Sequence, residues 1–342
     1  MRTLYSGISA GTELTAYRGS NVYLNKRWDA DRRLFVPGEQ SVTYPVSGWG
    51  YSEVGEVVEM GDGANPVATQ EDALTPSGKE MRVGEVVYGI WGHRSEAVIP
   101  AADLAGHVLP NGVDPMVGVF VRVGAIALNA VLAADIHVTE SVVVTGQGVL
   151  GLLATRLAVI SGATVLAVDG IASRRSAASR FGAAHAVDPT NTDVGVRIRE
   201  LTGSGADVAI EFSGAYPALH QAIRSVRPGG RVVAAGFYQG GASGLDLGEE
   251  FHHNRVTLVA SQIGDVPTAV SHRWDRARLN RAFLELVTTG KLDVAPLVTH
   301  VVPVEEAATA YRLLDEDPTG VLQVVLDFRS PPIAHTSSEQ LG

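Results

Sequence analysis

The chain has 342 residues, 45% of them hydrophobic and 19% charged, which suits about two globular domains with full cores. Thirty-seven acids against 27 bases leave a formal charge of −10, which argues against nucleic acid or an anionic membrane surface as a partner and points to a small-molecule ligand. With no cysteine there is no disulfide, no thiolate zinc site and no cysteine nucleophile. No stretch reads as a membrane span and no basic-then-apolar leader opens the chain, so the expected compartment is the cytoplasm.

In chain order, the first segment, 1–116, is rich in glycine and short β-branched runs such as Glu56–Glu59, Val83–Tyr88 and Ala97–Ile99, and reads as a compact β domain. Residues 62–81, with Gly, Asn, Pro, Thr and Ser around scattered charges, read as a long surface loop. From 117 the pattern changes. A helix is expected over Val119–Leu132, and strands over 141–146, 163–168, 206–212, 230–236 and 256–260 alternate with helical segments through to Ala277–Thr289. That alternation over 117–294 demands a parallel, doubly wound α/β sheet. A strand at Leu297–Val302, a helix at Val304–Leu314 and a strand at Val321–Phe328 then return the chain, over 295–328, to the first domain. Residues 329–342 lack apolar periodicity and read as a disordered tail.

The run Ser141–Gly151 carries the most information. A β-branched strand turns through Gly146, Gly148 and Gly151 into an apolar helix, and the next strand delivers Asp169. This is the context of a dinucleotide-binding loop. Gly146 allows the tight turn, Gly148 clears the approach of a pyrophosphate, and Gly151 lets helix and strand pack closely. Gln147, Val149 and Leu150 complete the loop, and free N–H groups at the helix start face the phosphates. A carboxylate at 169 accepts hydrogen bonds from ribose hydroxyls and repels a 2′-phosphate, so NAD is favoured over NADP, although Arg174 and Arg175 just beyond could welcome a phosphate. Ser213-Gly214 and Gly236-Phe237, at the ends of later strands, are expected to flank the nicotinamide.

Gly7-Ile-Ser-Ala-Gly-Thr-Glu13, Gly55–Gly61, Gly84–Tyr88, the glycine loop, Phe212–Gly214 and Pro228–Val233 together resemble the medium-chain dehydrogenase/reductase superfamily over nearly the whole chain. Ser261-Gln262, Arg273-Trp274 and Gln323–Phe328 are similar to its zinc-type alcohol dehydrogenase branch, which includes the hydroxyethyl-bacteriochlorophyllide dehydrogenases. The resemblance implies a GroES-like β domain and a Rossmann domain enclosing a cleft, a homodimer joined along a sheet edge near Val256–Ala260, and hydride transfer between a nicotinamide and an alcohol or ketone. It also implies roughly two dozen residues before the segment matching Arg2–Gly7, including a β hairpin. A mis-assigned or trimmed start is favoured over a truncated β domain, in which an edge would be exposed.

The chain departs from that branch at the zinc ligands, whose positions fall on Ala10, Tyr51 and a residue near Arg122. Neither a methyl group nor a guanidinium binds Zn²⁺, and the expectation is a zinc-free enzyme with no metal site. The groups at the vacated positions become candidates: Tyr51 as proton donor or acceptor, Ser52 as relay and Arg122 as a fixed cation opposite an oxyanion. Each has a plainer reading, an aromatic packed on the cleft wall for Tyr51 and a helix salt bridge for Arg122. Glu13 and Glu53 read as salt-bridge residues, and His93 as a surface histidine or a proton shuttle. His252-His253, read as adjacent positions of a strand, point to opposite faces and do not suggest a metal site. Trp274 lines the pocket or staples its loop. Two rival functions remain open: an NADPH-dependent quinone or enoyl reductase of the same fold, and a non-catalytic nucleotide-binding remnant.

Overall fold

The computed structural model describes residues 1–61 and 81–329; the remainder of the expected loop, 62–80, and of the expected tail, 330–342, lie outside the described residues. The strands of the first segment are β1 (Arg2–Gly7), β2 (Lys26–Asp29), β3 (Leu34–Pro37), β4 (Glu53–Glu56) and β5 (Val86–Gly89), with helix α1 (Ala10–Tyr17) after β1. Helix α2 (Gly118–Ala134) follows, and then β6 (Ser141–Thr145), α3 (Val149–Ile160), β7 (Thr164–Val168), α4 (Ala172–Arg180) and β8 (His185–Val187). Next come α5 (Val194–Thr202), β9 (Ala206–Glu211), α6 (Tyr216–Ser225), β10 (Val226–Ala234), β11 (Thr257–Ala260) and α7 (Arg276–Thr288). The chain closes with β12 (Val298–Pro303), α8 (Ala307–Glu316) and β13 (Gln323–Asp327).

Strands β6 to β11 form one six-stranded sheet in the order β11-β10-β9-β6-β7-β8, with every pairing parallel. Its strands are apolar on both faces, with Val142, Val143, Val144, Ala209 and Ile210 fully buried, as helices on both sides require. The order reverses between β6 and β9, so their carboxyl ends open a crevice at a topological switch point. The second sheet runs β12-β13-β1-β4-β5 and draws its strands from both ends of the sequence. The fold is thus the α/β architecture expected from the alternation, with β2 and β3 paired apart as a small antiparallel ribbon. Within the second sheet β1 pairs with β13 on one side and β4 on the other, so the strand beginning at Arg2 is central and exposes no edge.

One helix meets both sheets. Pro115–Ala134 has a mean hydropathy of 2.0, enough by length and composition to cross a membrane, contrary to the expectation that no stretch would be. Yet 72% of that window is buried inside the protein. A helix apolar all round is the core helix of a multilayer protein when other elements cover it. Here α2 joins Tyr5, Val54 and Tyr88 of the mixed sheet to Val144, Ile210 and Val233 of the parallel sheet in one continuous core.

Three local expectations change. Ala10–Tyr17, read as part of an all-β segment, is helical, and Glu13 reaches back to accept the backbone N–H of Ser9 at 2.7 Å. His252 and His253 sit on a helical turn rather than a strand, where His253 Nδ1 lies 3.0 Å from the Glu249 carbonyl. Ala97–Ile99 forms no strand, although Glu96 makes an isolated bridge to Arg2.

The contact between α2 and α7 depends on a missing side chain, because a Cβ on Gly124 would overlap the ring of the fully buried Phe283. Gly124→Ala is expected to destabilise the protein by ~1–3 kcal/mol through overpacking. Thermal and urea unfolding check this, and the double variant Gly124→Ala with Phe283→Leu should recover part of the loss.

Candidate functional site: a dinucleotide loop facing a buried carboxylate network

The glycine loop is built as its sequence demands. Gly146 has φ +84°, and a Cβ there would lie 2.7 Å from the Ser213 backbone nitrogen, so the turns after β6 and β9 touch at the switch point. A Cβ on Gly151 would overlap the Gly146 carbonyl oxygen, which is the close helix approach expected of it. By contrast, a Cβ on Gly148 meets nothing within 4 Å, so the space in front of it is open. Gly148 is the N-cap of α3 and its carbonyl accepts from Leu152, leaving the N–H groups of Val149, Leu150 and Gly151 without acceptors inside the helix. Open space before unsatisfied N–H groups at the positive end of a helix fits a pyrophosphate.

Asp169 follows β7 and is held in place: its carboxylate accepts from the backbone N–H of Gln147 at 2.7 Å and of Ile171 at 2.8 Å. Gln147 has a different task from its neighbours. Its side chain is fully buried, donating to the Val144 carbonyl and accepting from Thr155, so only its backbone belongs to the loop's surface. Arg174 turns away from Asp169 towards the carbonyls of Pro318 and Val321, each 3.5 Å from Nη2. Arg175 is tied to Asp188 at 2.8 Å and to the Asp169 carbonyl.

Across the switch point the sequence reading missed the residue that shapes the opposite wall. Glu211, fully buried at the end of β9, accepts from the Ser213 backbone at 2.6 Å, from its hydroxyl, from the Gly214 N–H at 3.1 Å and from the Tyr238 hydroxyl at 2.5 Å. Burial raises its pKa, and those donors oppose the rise. The Glu211 backbone carbonyl also accepts from Gly236, so the Ser213-Gly214 and Gly236-Phe237 turns are bound to one residue, with Phe237 40% exposed at the rim. The available signal was a lone acid at the end of an apolar strand.

The second wall comes from the mixed sheet. Tyr51 packs against the main core, and its hydroxyl pairs with Ser9 Oγ in a short hydrogen bond. Burial raises the Tyr51 pKa, and the Glu13 charge adds to the rise, while hydrogen bonds with Ser9 and Thr12 and the positive charge of Arg122 pull it back. The phenol therefore keeps its proton at neutral pH. Arg122, on the second turn of α2, is only partly exposed, and its positive charge acts on Tyr51. It makes no ion pair among the described residues, so the expected helix salt bridge is not formed. The Ser52 hydroxyl is buried without a hydrogen-bond partner among the described residues, so the phenol connects to Ser9 rather than to Ser52.

Behind Tyr51 lies a chain of buried polar groups. Glu13 Oε2 is 2.8 Å from His93 Nε2 and also accepts from the Tyr311 hydroxyl. His93 Nδ1 is 2.6 Å from Ser6 Oγ, which donates to Glu53 at 3.0 Å, and Glu53 accepts the Trp91 N–H at 2.9 Å. His93 is thus no surface residue, its side chain being 15% exposed, and Glu13 takes the expected salt-bridge role. Glu53 is instead hydrogen-bonded throughout. Trp274 is partly buried against the core, with the Arg278 guanidinium 4.3 Å above its ring, a stapling role.

The three positions where the family resemblance places metal ligands offer a methyl group on Ala10, a hydrogen-bonded phenol on Tyr51 and a cation on Arg122. This set does not fit Zn²⁺, which takes thiolate, imidazole or carboxylate. Among the described residues, converging histidine and acid ligand atoms occur at His220, Asp246 and Glu249, a separate and largely exposed grouping on the parallel-sheet half.

Comparison with known proteins agrees with this geometry. Residues 149–278 match the zinc-binding dehydrogenase family. D-guloside 3-dehydrogenase of Escherichia coli K12 is 30% identical over 337 residues, covering 96% of this chain and 92% of that protein. A zinc-binding dehydrogenase structure from Sinorhizobium meliloti 1021 bound to NADP superposes with a TM-score of 0.71 at 21% identity, covering 95% of this chain and 90% of that one. An alcohol dehydrogenase structure from E. coli CFT073 complexed with NADH gives 0.70 at 19% identity, with 95% and 90% covered. The chain belongs to the zinc-binding, medium-chain dehydrogenase/reductase family and is an NAD(P)-dependent dehydrogenase of that class.

Two outcomes follow. Gly148→Ala should fold with unchanged thermal stability yet weaken NADH binding, whereas Gly151→Ala should lose both; calorimetric titration and melting curves separate them. The His93 pKa is raised: burial opposes the charge, but the Glu13 hydrogen bond and charge, with Glu53, outweigh it. The pair's contribution to stability is therefore full below the ordinary histidine value of 6.5 and is lost as pH rises through the raised folded value. As pH rises from 6.5 through that window, wild type should lose more melting temperature than His93→Gln.

Proposed function

We propose that the chain is an NAD-dependent oxidoreductase that interconverts a secondary alcohol and its ketone without zinc, using Tyr51 as the proton-transferring group. The observation that carries this reading is the phenol of Tyr51, hydrogen-bonded to Ser9 and under the positive charge of Arg122, at positions where the family resemblance places metal ligands. Bound NAD supplies the hydride acceptor, and its reduced form the donor. In carbonyl reduction Tyr51 Oη gives its proton to the substrate oxygen as the carbonyl carbon gains hydride, and Ser9 Oγ keeps the phenol oriented. The reverse direction runs from the phenolate form: Tyr51 first releases its proton to solvent, Arg122 stabilises the resulting negative charge, and Tyr51 Oη then receives the substrate hydroxyl proton.

Preference for NAD is supported by the fixed Asp169 carboxylate and by the engagement of Arg174 and Arg175 elsewhere, which leaves neither directed at a ribose 2′-phosphate. Gly146–Gly151, Ser213, Gly214, Gly236 and Phe237 form the proposed cofactor walls. Within this reading 1–116 and 295–328 make the catalytic β domain and 117–294 the nucleotide domain. We extend it to a cytoplasmic homodimer joined along β11, the open edge of the parallel sheet, where Leu258 is 37% exposed.

Tyr51→Phe should lower kcat by ~10²-fold or more while leaving NADH affinity intact, and Arg122→Met should lower kcat as well. Turnover should survive a chelator, and metal analysis should find no stoichiometric zinc. Wild-type turnover in both variants would remove the proposal. NADPH preference with quinone reduction would favour a reductase, and NADH binding without turnover of any carbonyl would favour a non-catalytic nucleotide-binding protein.

A further inference from the structure

Glu211 is fully buried at the end of β9, and the groups that donate to its carboxylate are all neutral. Oε1 accepts the Ser213 N–H at 2.6 Å and the Ser213 hydroxyl, while Oε2 accepts the Gly214 N–H at 3.1 Å and the Tyr238 hydroxyl at 2.5 Å. Each oxygen has two donors. The four lone-pair positions of a carboxylate are therefore filled, which leaves no place for a proton of its own and holds the group as an anion. Burial and the Glu211 charge both raise the Tyr238 pKa, so the phenol keeps the proton it donates. These bonds satisfy the oxygens but do not cancel the charge: Glu13 has the His93 imidazole at 2.8 Å, whereas Glu211 has no ion-pair partner among the described residues.

The charge sits behind two glycine turns. A Cβ on Gly236 would overlap the Gly214 backbone and come 2.9 Å from Glu211 Oε2, and a Cβ on Gly146 would meet the Ser213 backbone, so the turns after β6, β9 and β10 close around the carboxylate at the switch point. Gly214 and Gly236 bring no side chain between it and the surface of those turns, where Ser213 and Phe237 are exposed. Little water intervenes to screen its field.

We propose that Glu211 makes this wall selective for the redox state of the cofactor, holding NAD, whose nicotinamide ring is cationic, more tightly than NADH, whose ring is neutral. This rests on the reading of Ser213-Gly214 and Gly236-Phe237 as the nicotinamide side of the cofactor site. A buried anion without a counter-ion is costly, and a ring of opposite charge offsets that cost while a neutral ring does not. Asp169 makes no such distinction, because on the same reading it serves the adenosine ribose, which is identical in the two forms. Reduction removes the ring charge and loosens the product, so the wall suits alcohol oxidation, in which NAD enters and NADH leaves.

The test compares dissociation constants for NAD, NADH and ADP-ribose, measured by calorimetry at one fixed pH and ionic strength, in wild type, Glu211→Gln, Tyr238→Phe and Asp169→Asn. Wild type is expected to bind NAD more tightly than NADH, and in Glu211→Gln that preference should fall roughly tenfold or more. ADP-ribose, which lacks the ring, should bind both proteins alike. Tyr238→Phe keeps the charge and should keep the preference while both dinucleotides weaken together, and Asp169→Asn should weaken all three ligands by the same factor. Tighter binding of NADH by wild type, or equal loss of NAD and NADH in Glu211→Gln, overturns the proposal and leaves Glu211 a purely structural group. Should Glu211→Gln fail to fold, wild type and Tyr238→Phe decide: preference for NAD in both upholds the proposal, and its absence from either overturns it. ADP-ribose separates the two readings, since binding of it without redox selectivity removes the Glu211 proposal alone, and no binding of it removes the cofactor site as well.

Discussion

Both halves of the cleft are sealed against one helix, and the rest of the structure depends on how closely that helix can approach its neighbours. At one end of α2 a Cβ on Gly118 would come within 2.7 Å of Val54 in the mixed sheet, and further along Gly124 accommodates the Phe283 ring of α7. Arg122 lies between these two contacts. Its backbone is therefore fixed relative to Tyr51, which enters from the mixed sheet, and to Arg276, which enters with α7.

Each wall is in turn organised by a buried carboxylate that gathers donors from loops. Glu211 binds the turns after β9 and β10 to one another, and Glu13 joins the start of α1 to His93 and Tyr311. Glu53 does the same for Ser6 and Trp91. A carboxylate withdrawn from water is costly unless its lone pairs are filled, and here the filling groups are the loop backbones themselves. Loop order and carboxylate burial thus support one another. Burial raises both Glu53 and Glu211, so these acids also hold protons more readily than surface carboxylates do.

The parts that sequence reasoning reached are those encoded by backbone demands or by long periodic runs. The glycine loop was legible because Gly146 and Gly151 answer steric requirements that no side chain can meet, and the parallel sheet because its strands are continuously apolar. Short elements escaped: β8 has three residues, and α1 has a first turn of small and polar residues with little apolar stripe. The network behind Tyr51 escaped for a different reason. Its members come from β1, α1, β4, α8 and the loop holding His93, and their convergence is set by the register of β1 between β4 and β13 rather than by any local spacing. Arg174 illustrates how chain direction overrides sequence proximity. Sequence proximity to Asp169 suggested a phosphate ligand, but the helical direction of α4 carries its guanidinium to the carbonyls of Pro318 and Val321.

On the function proposed here a phenol and a fixed cation act where the family resemblance places a metal, and that changes what the site can do electrostatically. A coordinated metal polarises an oxygen by accepting its lone pair, and it can exchange that oxygen for another. A guanidinium can only donate hydrogen bonds and present a permanent charge, and its influence falls steeply where water enters. Such a design needs the cation to be partly buried and unpaired by the protein itself, a combination that costs stability and that folding alone would remove with one well-placed acid. Arg122 is partly withdrawn from water yet has no acid partner among the described residues, a departure from the expectation that a buried charge is paired. Departures of that kind concentrate where a ligand completes what the fold leaves unfinished. On the function proposed here, the completing group is the substrate, whose developing oxyanion meets Tyr51 under the field of Arg122.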